Sequence, residues 1–299
     1  MIVEGEDTRA TRCSLVAVVG VTNAGKSTLI NELVGFKASI VTHKVHTTRV
    51  RMNSVRNDGD VQLIFTDTPG VFSPTTKLEK FIVKNAWMSI KGADKVALVL
   101  DAKRYLCSHV ERIVRRIAHS NIPAIAIINK IDLLDDRGIR SIIEKVQSMH
   151  KFDKVFAISA LHGLGVQELL GYLQKSACSG PWLYPDGYRT DATLEFFSAE
   201  ITREKLFLAL RHELPYSLSV VTEQVVERGK GIIIKQVIYV VKESQKTIVV
   251  GKDAELIKSI STVARAELKQ ILGKEVHLYL FVKVRKLWQD HLEECVGYA

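Results

Sequence analysis

No apolar run in this sequence approaches the ~18 residues that a membrane-spanning helix needs. The opening stretch MIVEGEDTRATR has no apolar core of the kind found in secretory leaders. An integral helical membrane protein and a secreted one are therefore not expected. Cysteine is scarce. Cys13, Cys107, Cys178 and Cys295 are scattered, without the close pairs of a metal site, and read as reduced thiols of a cytosolic protein. Repeats and low-complexity tracts are also missing, which argues against a solenoid architecture. What remains is an ordinary globular composition, with 299 residues, 46% apolar and 25% charged, enough for one or two domains with a sizeable core.

Charge is uneven along the chain. Residues 1–180 carry 25 basic and 17 acidic side chains, whereas residues 181–299 carry 17 and 16. Inside that near-neutral second part, Arg228 to Lys286 holds 13 basic against 5 acidic residues. A basic segment of this kind suggests either a surface for nucleic acid or a solvated lysine-rich face.

The first part alternates apolar runs with helical patterns. Strands are predicted at 14–20, 61–67, 95–102, 123–130 and 154–160, with helices at 26–34, 79–91, 108–119, 139–150 and 165–175. Continuous apolar runs are the mark of strands buried on both faces. Their alternation with helices predicts an α/β domain with a mostly parallel sheet. Residues 176–192 contain two prolines and two glycines and read as a linker. Beyond it, the pattern predicts a helix over 193–214, a hairpin of strands 217–226 and 231–241, a short strand TIVV, a helix over about 253–272 and a last strand over 276–284. This second part reads as a smaller α+β domain.

Chemistry enters with GVTNAGKST, which follows the apolar run LVAVV. Gly20, Gly25, Lys26 and Ser27 fit the phosphate-loop pattern G-x-x-x-x-G-K-S. Glycines let the backbone curl so that amide N–H groups of Asn23, Ala24, Gly25, Lys26, Ser27 and Thr28 face phosphate oxygens. The positive end of the following helix adds to the field. Lys26 is expected to reach the β- and γ-phosphates, and Ser27 to ligate Mg²⁺. Asn129, Lys130 and Asp132 form N-K-x-D at a strand end. The Asp132 carboxylate can accept both N1–H and the 2-amino hydrogens of guanine, and adenine offers no such pair. Ser159 and Ala160 supply the second wall, with the Ala160 amide expected to face the guanine oxygen. Between these elements lies DTPG. Asp67 is expected to hold Mg²⁺ through water, and the Gly70 amide to sense the γ-phosphate. Of the residues in HTTR, Thr48 is preferred over Thr47 as the third Mg²⁺ ligand. These elements in this order predict a GTP/GDP switch, with segments near 37–50 and 69–80 responding to the nucleotide.

Many switch GTPases place a glutamine after the DTPG-type glycine to orient water. Here the position is Val71, which can neither orient water nor move a proton. Slow intrinsic hydrolysis is predicted, with Lys26 neutralising phosphate charge. Arg49 reads first as solvated loop charge and second as a source of transition-state charge.

Several longer stretches carry a resemblance over the whole chain. YPDGYRTD (184–191), FFSAEITREKLFLALRHELPYSLSV (196–220), the KVRK run (283–286), Trp288 and the terminal GY are similar to the bacterial Era family of GTPases. The resemblance implies a P-loop G domain over 1–177, a linker over 178–192 and a type II KH domain over 193–299. It also implies binding near the 3′ end of small-subunit ribosomal RNA and a role in assembling the small ribosomal subunit. Loose peripheral contact with the inner face of the cell membrane is implied too, though no anchor is visible, and a cytoplasmic monomer is expected. In potassium-stimulated GTPases of similar sequence, an asparagine at the place of Asn23 coordinates K⁺. Thr22 and Ala24 depart from the family's proline and valine without removing an amide from the ligand side.

The KH turn departs further. A KH domain clamps nucleotides over G-x-x-G, and here the turn reads Gly251, Lys252, Asp253, Ala254. Asp253 reads as the N-cap of the helix that follows. Gly251, Lys252, Ala254, Lys258, Lys283, Arg285 and Lys286 are the expected RNA-contacting residues, while Val250 and Ile257 read as core. Two other functions stay open. One is a related GTPase acting in RNA modification, for which Cys295 lacks partners. The other is an RNA-binding module whose nucleotide half is a locked scaffold.

Overall fold

A computed structural model describes residues 10–286 except 45, 46 and 75. Trp288, Cys295 and the terminal GY lie outside the described residues. Two compact units are present. Of the described residues, those within 1–39, 51–73 and 85–191 form one, and those within 40–50, 74–84 and 192–299 the other.

The first unit is built on strands β1 (Arg12–Gly20), β2 (Met52–Asp58), β3 (Val61–Asp67), β4 (Lys95–Asp101), β5 (Ala124–Asn129), β6 (Lys154–Ala157) and the two-residue β7 (Cys178–Ser179). The sheet order is β2-β3-β1-β4-β5-β6, with β7 paired to β1. Pairing is parallel from β3 through β6, while β2 and β7 run antiparallel to their neighbours. Helices α1 (Lys26–Val34) and α5 (Val166–Lys175) bury Leu29, Ile30, Leu33, Leu169 and Leu173 on one face. Helices α3 (Ser108–Ser120) and α4 (Asp136–Met149) bury Val110, Ile113, Ile117, Ile142 and Val146 on the other, where the end of α2 (Lys77–Met88) adds Ala86. Burial on both faces accounts for the continuous apolar runs of β3, β4 and β5.

β2 had no counterpart among the predicted strands. Its sequence MNSVRND is polar, and it is held from both sides by backbone partners, the adjacent strand β3 and a stretch distant in sequence. β3 pairs along one edge, while Val55 N–H donates to Arg189 O (2.7 Å) and Ser54 bridges Thr190 on the other. The stretch 182–191 thus covers the sheet edge. The fully buried Gln62 anchors it, accepting from the Leu183 and Tyr184 amides at 2.9 Å each.

The second unit has a three-stranded sheet ordered β10-β9-β8, from β8 (Ser219–Arg228), β9 (Gly231–Val240) and β10 (Glu275–Val284). β8 and β9 form the antiparallel hairpin, and β10 joins β9 in parallel. Helices α6 (Leu194–Ala209), α7 (Glu243–Val250) and α8 (Glu255–Leu272) supply the rest of the core, including Ile201, Leu206, Val249, Ile260, Ala264 and Leu268. Ile257 packs against the same core, as its sequence context suggested.

Two expectations are corrected here. TIVV is the last turn of α7 and not a strand. The Gln245 side chain accepts from the Val241 and Lys242 amides (2.8 and 3.1 Å), which starts a helical turn, and Val249 is buried by its tertiary partners. Packing overrides the β-branched composition. Asp253 does not cap α8. Asp253 (φ 50°) and Ala254 (φ 60°) are both left-handed, and the helix starts after them with no side-chain cap. Gly251 is demanded locally, because at φ 76° an added Cβ would lie 2.8 Å from Leu256 Cβ. Ala254 has no such freedom, and a left-handed L-residue costs about 1–2 kcal/mol. Part of that is returned through the floppier unfolded chain of a glycine variant. Ala254→Gly is therefore expected to raise stability by about 0.5–1 kcal/mol, read as a higher urea midpoint. A lower midpoint would show that the alanine methyl has a packing role.

Candidate guanine-nucleotide site

The C-terminal end of β1 turns at Gly20 into the loop that opens α1, and the ends of β3 and β5 arrive beside it. Glycine is required at Gly70, where an added Cβ would meet Thr22 Cα and N at 2.7 and 2.8 Å. It is required again at Gly25, where φ is 92° and a Cβ would lie 2.2 Å from Asn129 Nδ2. The backbone of the loop is thus packed directly against the DTPG turn and against the side chain of N-K-x-D.

Lys26 is 6% exposed and donates to Gly20 O (3.3 Å) and Val21 O (3.0 Å). Burial lowers its ammonium to a pKa of about 8, against a smaller opposing pull from Asp67. A buried cation ringed by carbonyls is a site prepared for an anion. Ser27 Oγ donates to Asp67 Oδ2 at 2.8 Å. Hydroxyl and carboxylate oxygens side by side are the hard donors a Mg²⁺ ion takes.

Asn129 ties the phosphate and base ends together. Its Nδ2 donates to Ala24 O (2.9 Å), and its Oδ1 accepts from Lys130 N (2.8 Å) and Ala160 N (2.9 Å). The Ala160 amide was expected to face the guanine oxygen, and here it is engaged by Asn129. Ser159 Oγ donates to Asp132 Oδ1, and His162 Nε2 stands 4.0 Å from Asp132 Oδ2. Lys130 is left-handed (φ 68°), and its ammonium reaches Asn23 O (2.7 Å) and Asp101 Oδ2 (2.6 Å). Asp101 escaped the sequence reading. Its only signal was an acidic residue closing the apolar strand KVALVLD. Asp101→Asn is expected to weaken GTP binding ~10-fold by loosening Lys130, since charged hydrogen bonds contribute about 1.5–3 kcal/mol. An unchanged nucleotide titration would show that Asn23 O alone holds the lysine.

Val71 lies in the core at 2% exposure, bridged to Val21 and donating its N–H to Gly20 O (3.0 Å). No water-orienting group can project from it. Thr48 belongs to the second unit, within the segment 40–50. There the Val41 amide donates to Glu204 Oε1 (2.8 Å), Lys44 Nζ to Phe207 O and Leu210 O, and Arg203 to Thr47 O. Arg49, expected to be solvated, is instead 3% exposed. It donates to Leu218 O (2.9 Å) and lies over the Phe207 ring. Burial lowers its pKa to about 9, with repulsion from Arg203 adding to the effect.

In the second unit, Gly251 and Ala254 shape the turn, Lys252 is exposed, and Lys258 Nζ donates to Asp253 O (3.2 Å). Lys283 pairs with Glu223 (3.2 Å), Arg285 lies 5.7 Å over the Tyr239 ring, and Lys286 is exposed.

Comparison with known proteins matches both units. A family described as 50S ribosome-binding GTPase matches residues 15–130, and the KH domain family matches residues 213–289. GTPase Era of Ehrlichia canis (strain Jake) is 61% identical over 289 residues, covering 96% of this chain and 98% of that protein. GTPase Era of Rhizobium meliloti (strain 1021) is 44% identical, covering 95% and 91%. Among solved structures, Era in complex with MgGDPNP and nucleotides 1506–1542 of 16S ribosomal RNA superposes with a TM-score of 0.92 at 34% identity, covering 96% and 99%. An Aquifex aeolicus Era variant bound to GDP.AlF4- gives 0.91 at 34%, covering 96% and 100%.

Proposed function

The chain belongs to the Era family of GTPases, and from that premise we propose that it is an assembly factor for the small ribosomal subunit whose bound nucleotide sets its affinity for RNA. Residues 1–177 act as the nucleotide domain, 178–192 as the connector and 193–299 as the KH-type domain that takes the 3′-end region of small-subunit rRNA. The relative solved with MgGDPNP and a 16S RNA fragment supports this reading. The observation that carries the coupling is the path of segment 40–50. It leaves the first unit in sequence and folds with the second, held by Glu204, Phe207, Leu210 and Leu218.

The protein converts GTP and water to GDP and phosphate. Lys26 gives its full charge to the β- and γ-phosphates, which replace the weak carbonyl partners it has now. Asn129 holds the phosphate loop in register with the base loop, and Asp132 reads guanine. Ser27, Thr48 and, through water, Asp67 would hold Mg²⁺, which supplies charge neutralisation across the β- and γ-oxygens. With Val71 in the core, positioning and electrostatics remain and water activation does not, so turnover without RNA is slow.

Asn23, left-handed in the phosphate loop, would hold a K⁺ ion beside the phosphates. No described helix is long and apolar enough to cross a membrane, and any membrane contact would be peripheral. GTP turnover with and without the rRNA fragment, in KCl and in NaCl, tests this account. RNA and K⁺ should each raise the rate. Equal rates in the two salts would remove the K⁺ role, and no turnover in any condition would favour a locked scaffold.

A further inference from the structure

Two of the cysteines are brought together by the fold. β7 pairs antiparallel with β1, with Arg12 opposite Ser179 and Cys13 opposite Cys178. Gly180 N–H donates to Thr11 O (3.0 Å), which fixes the phase of the ladder. Cys13 and Cys178 are then the next hydrogen-bonded pair, with Cα atoms about 5.5 Å apart and side chains on one face of the sheet. Native disulfides span Cα separations of about 4.4–6.8 Å. Cys178 is exposed, while Cys13 is half-buried with Sγ 3.8 Å from Gln62 Oε1. β7 has only two residues, so small shifts of its backbone can bring the sulfurs into contact.

We propose that Cys13 and Cys178 are an oxidative modification site, at which a small-molecule disulfide such as oxidised glutathione closes a cross-strand disulfide between β1 and β7. The exposed Cys178 thiolate attacks one sulfur of the glutathione disulfide and expels one glutathione thiolate. Cys13 then loses its proton and attacks the Cys178 sulfur of the mixed disulfide, expelling the second glutathione thiolate. Two protein thiols are oxidised, one glutathione disulfide is reduced to two thiols, and the two protein protons pass to solvent or to the expelled thiolates. The second step is slow at neutral pH and quickens as pH rises, because burial pushes the Cys13 thiol up, with the Asp94 carboxylate adding to the effect.

The bond would tie down the connector at its root. β7 begins the stretch whose later residues meet Gln62 and cover the edge of β2, and Gln62 Oε1 also receives the Cys13 thiol. β1 is the strand that delivers Gly20 to the phosphate loop. This inference stands apart from the RNA-binding proposal and does not depend on it.

The test is incubation of the full-length protein with oxidised glutathione across pH 7 to 9, followed by intact-mass measurement and non-reducing peptide mapping. The expected product has lost two hydrogens, carries no glutathione and yields a Cys13–Cys178 cross-linked peptide. It forms faster at higher pH, and its melting temperature exceeds that of the reduced protein. Cys13→Ser should stop at a glutathione adduct on Cys178, Cys178→Ser should give no cross-link, and Cys107→Ser should behave as wild type. A wild-type protein that keeps glutathione on Cys178 at every pH, or that cross-links through another cysteine, overturns the proposal.

Discussion

Asp132→Asn is expected to invert the base selectivity of the site. The carboxylate accepts two hydrogens from guanine, N1–H and one of the 2-amino group. An amide keeps one acceptor and turns a donor toward the 2-amino group, leaving two donors opposed. Xanthine has a carbonyl oxygen at that position and suits the amide. Sites built on hydrogen bonds to a polar edge reject the mismatched ligand by ~10⁴-fold. Guanine nucleotide affinity should fall by roughly that factor, and xanthosine nucleotides should become the better ligands. Ser159 Oγ, which donates to Asp132 Oδ1, can donate equally to an amide oxygen, so the fold should tolerate the change. Competition titrations with GDP and xanthosine diphosphate give the answer. A variant that still prefers GDP would place the base elsewhere.

Lys26→Ala should reduce GTP and GDP affinity by ~100-fold or more, because a charged hydrogen bond contributes up to about 3 kcal/mol. The same lysine makes binding depend on pH. Its pKa in the free protein is about 8, against 10.5 when unperturbed. Below pH 8 the group is charged in both folded and unfolded chains, and its burial costs the folded protein about 3 kcal/mol. Between pH 8 and about 10.5 the folded protein releases the proton while the unfolded chain keeps it. The cost is relieved, and stability rises with pH. Phosphates restore the charge, so nucleotide binding takes up a proton above pH 8 and affinity falls by about tenfold per pH unit there. Calorimetry of GDP binding at pH 8.5, in buffers of different ionisation enthalpy, should show proton uptake by the wild type and none at this position in Lys26→Ala. A pH-independent affinity from 7 to 10 would contradict it.

Local chemistry was legible in the sequence, and contacts between distant residues were not. α1 begins and ends where its pattern placed it, at Lys26–Val34, and β3 at Val61–Asp67, because buried runs and glycine punctuation are local signals. The phosphate loop and N-K-x-D were readable for the same reason. β2 was missed because its sequence is polar and its outer edge is covered by Arg189 and Thr190, more than 130 residues away. TIVV looks like a strand until Gln245 caps α7 and Val249 finds the core. Asp253 is a good N-cap in isolation, but the turn inherited from Gly251 puts it in a left-handed conformation where it cannot reach the helix amides. Arg49 and Asp101 were undervalued because only the fold brings Leu218 to one and Lys130 to the other.

The most direct measurement is a titration of the protein with a short RNA copying the 3′ end of small-subunit ribosomal RNA, at one stated salt concentration, with GDP and with a non-hydrolysable GTP analogue. The account predicts sequence-dependent binding that is about 5- to 150-fold tighter with the analogue, despite Asp253 and Ala254 in the turn. Weak binding that ignores both RNA sequence and nucleotide would contradict it.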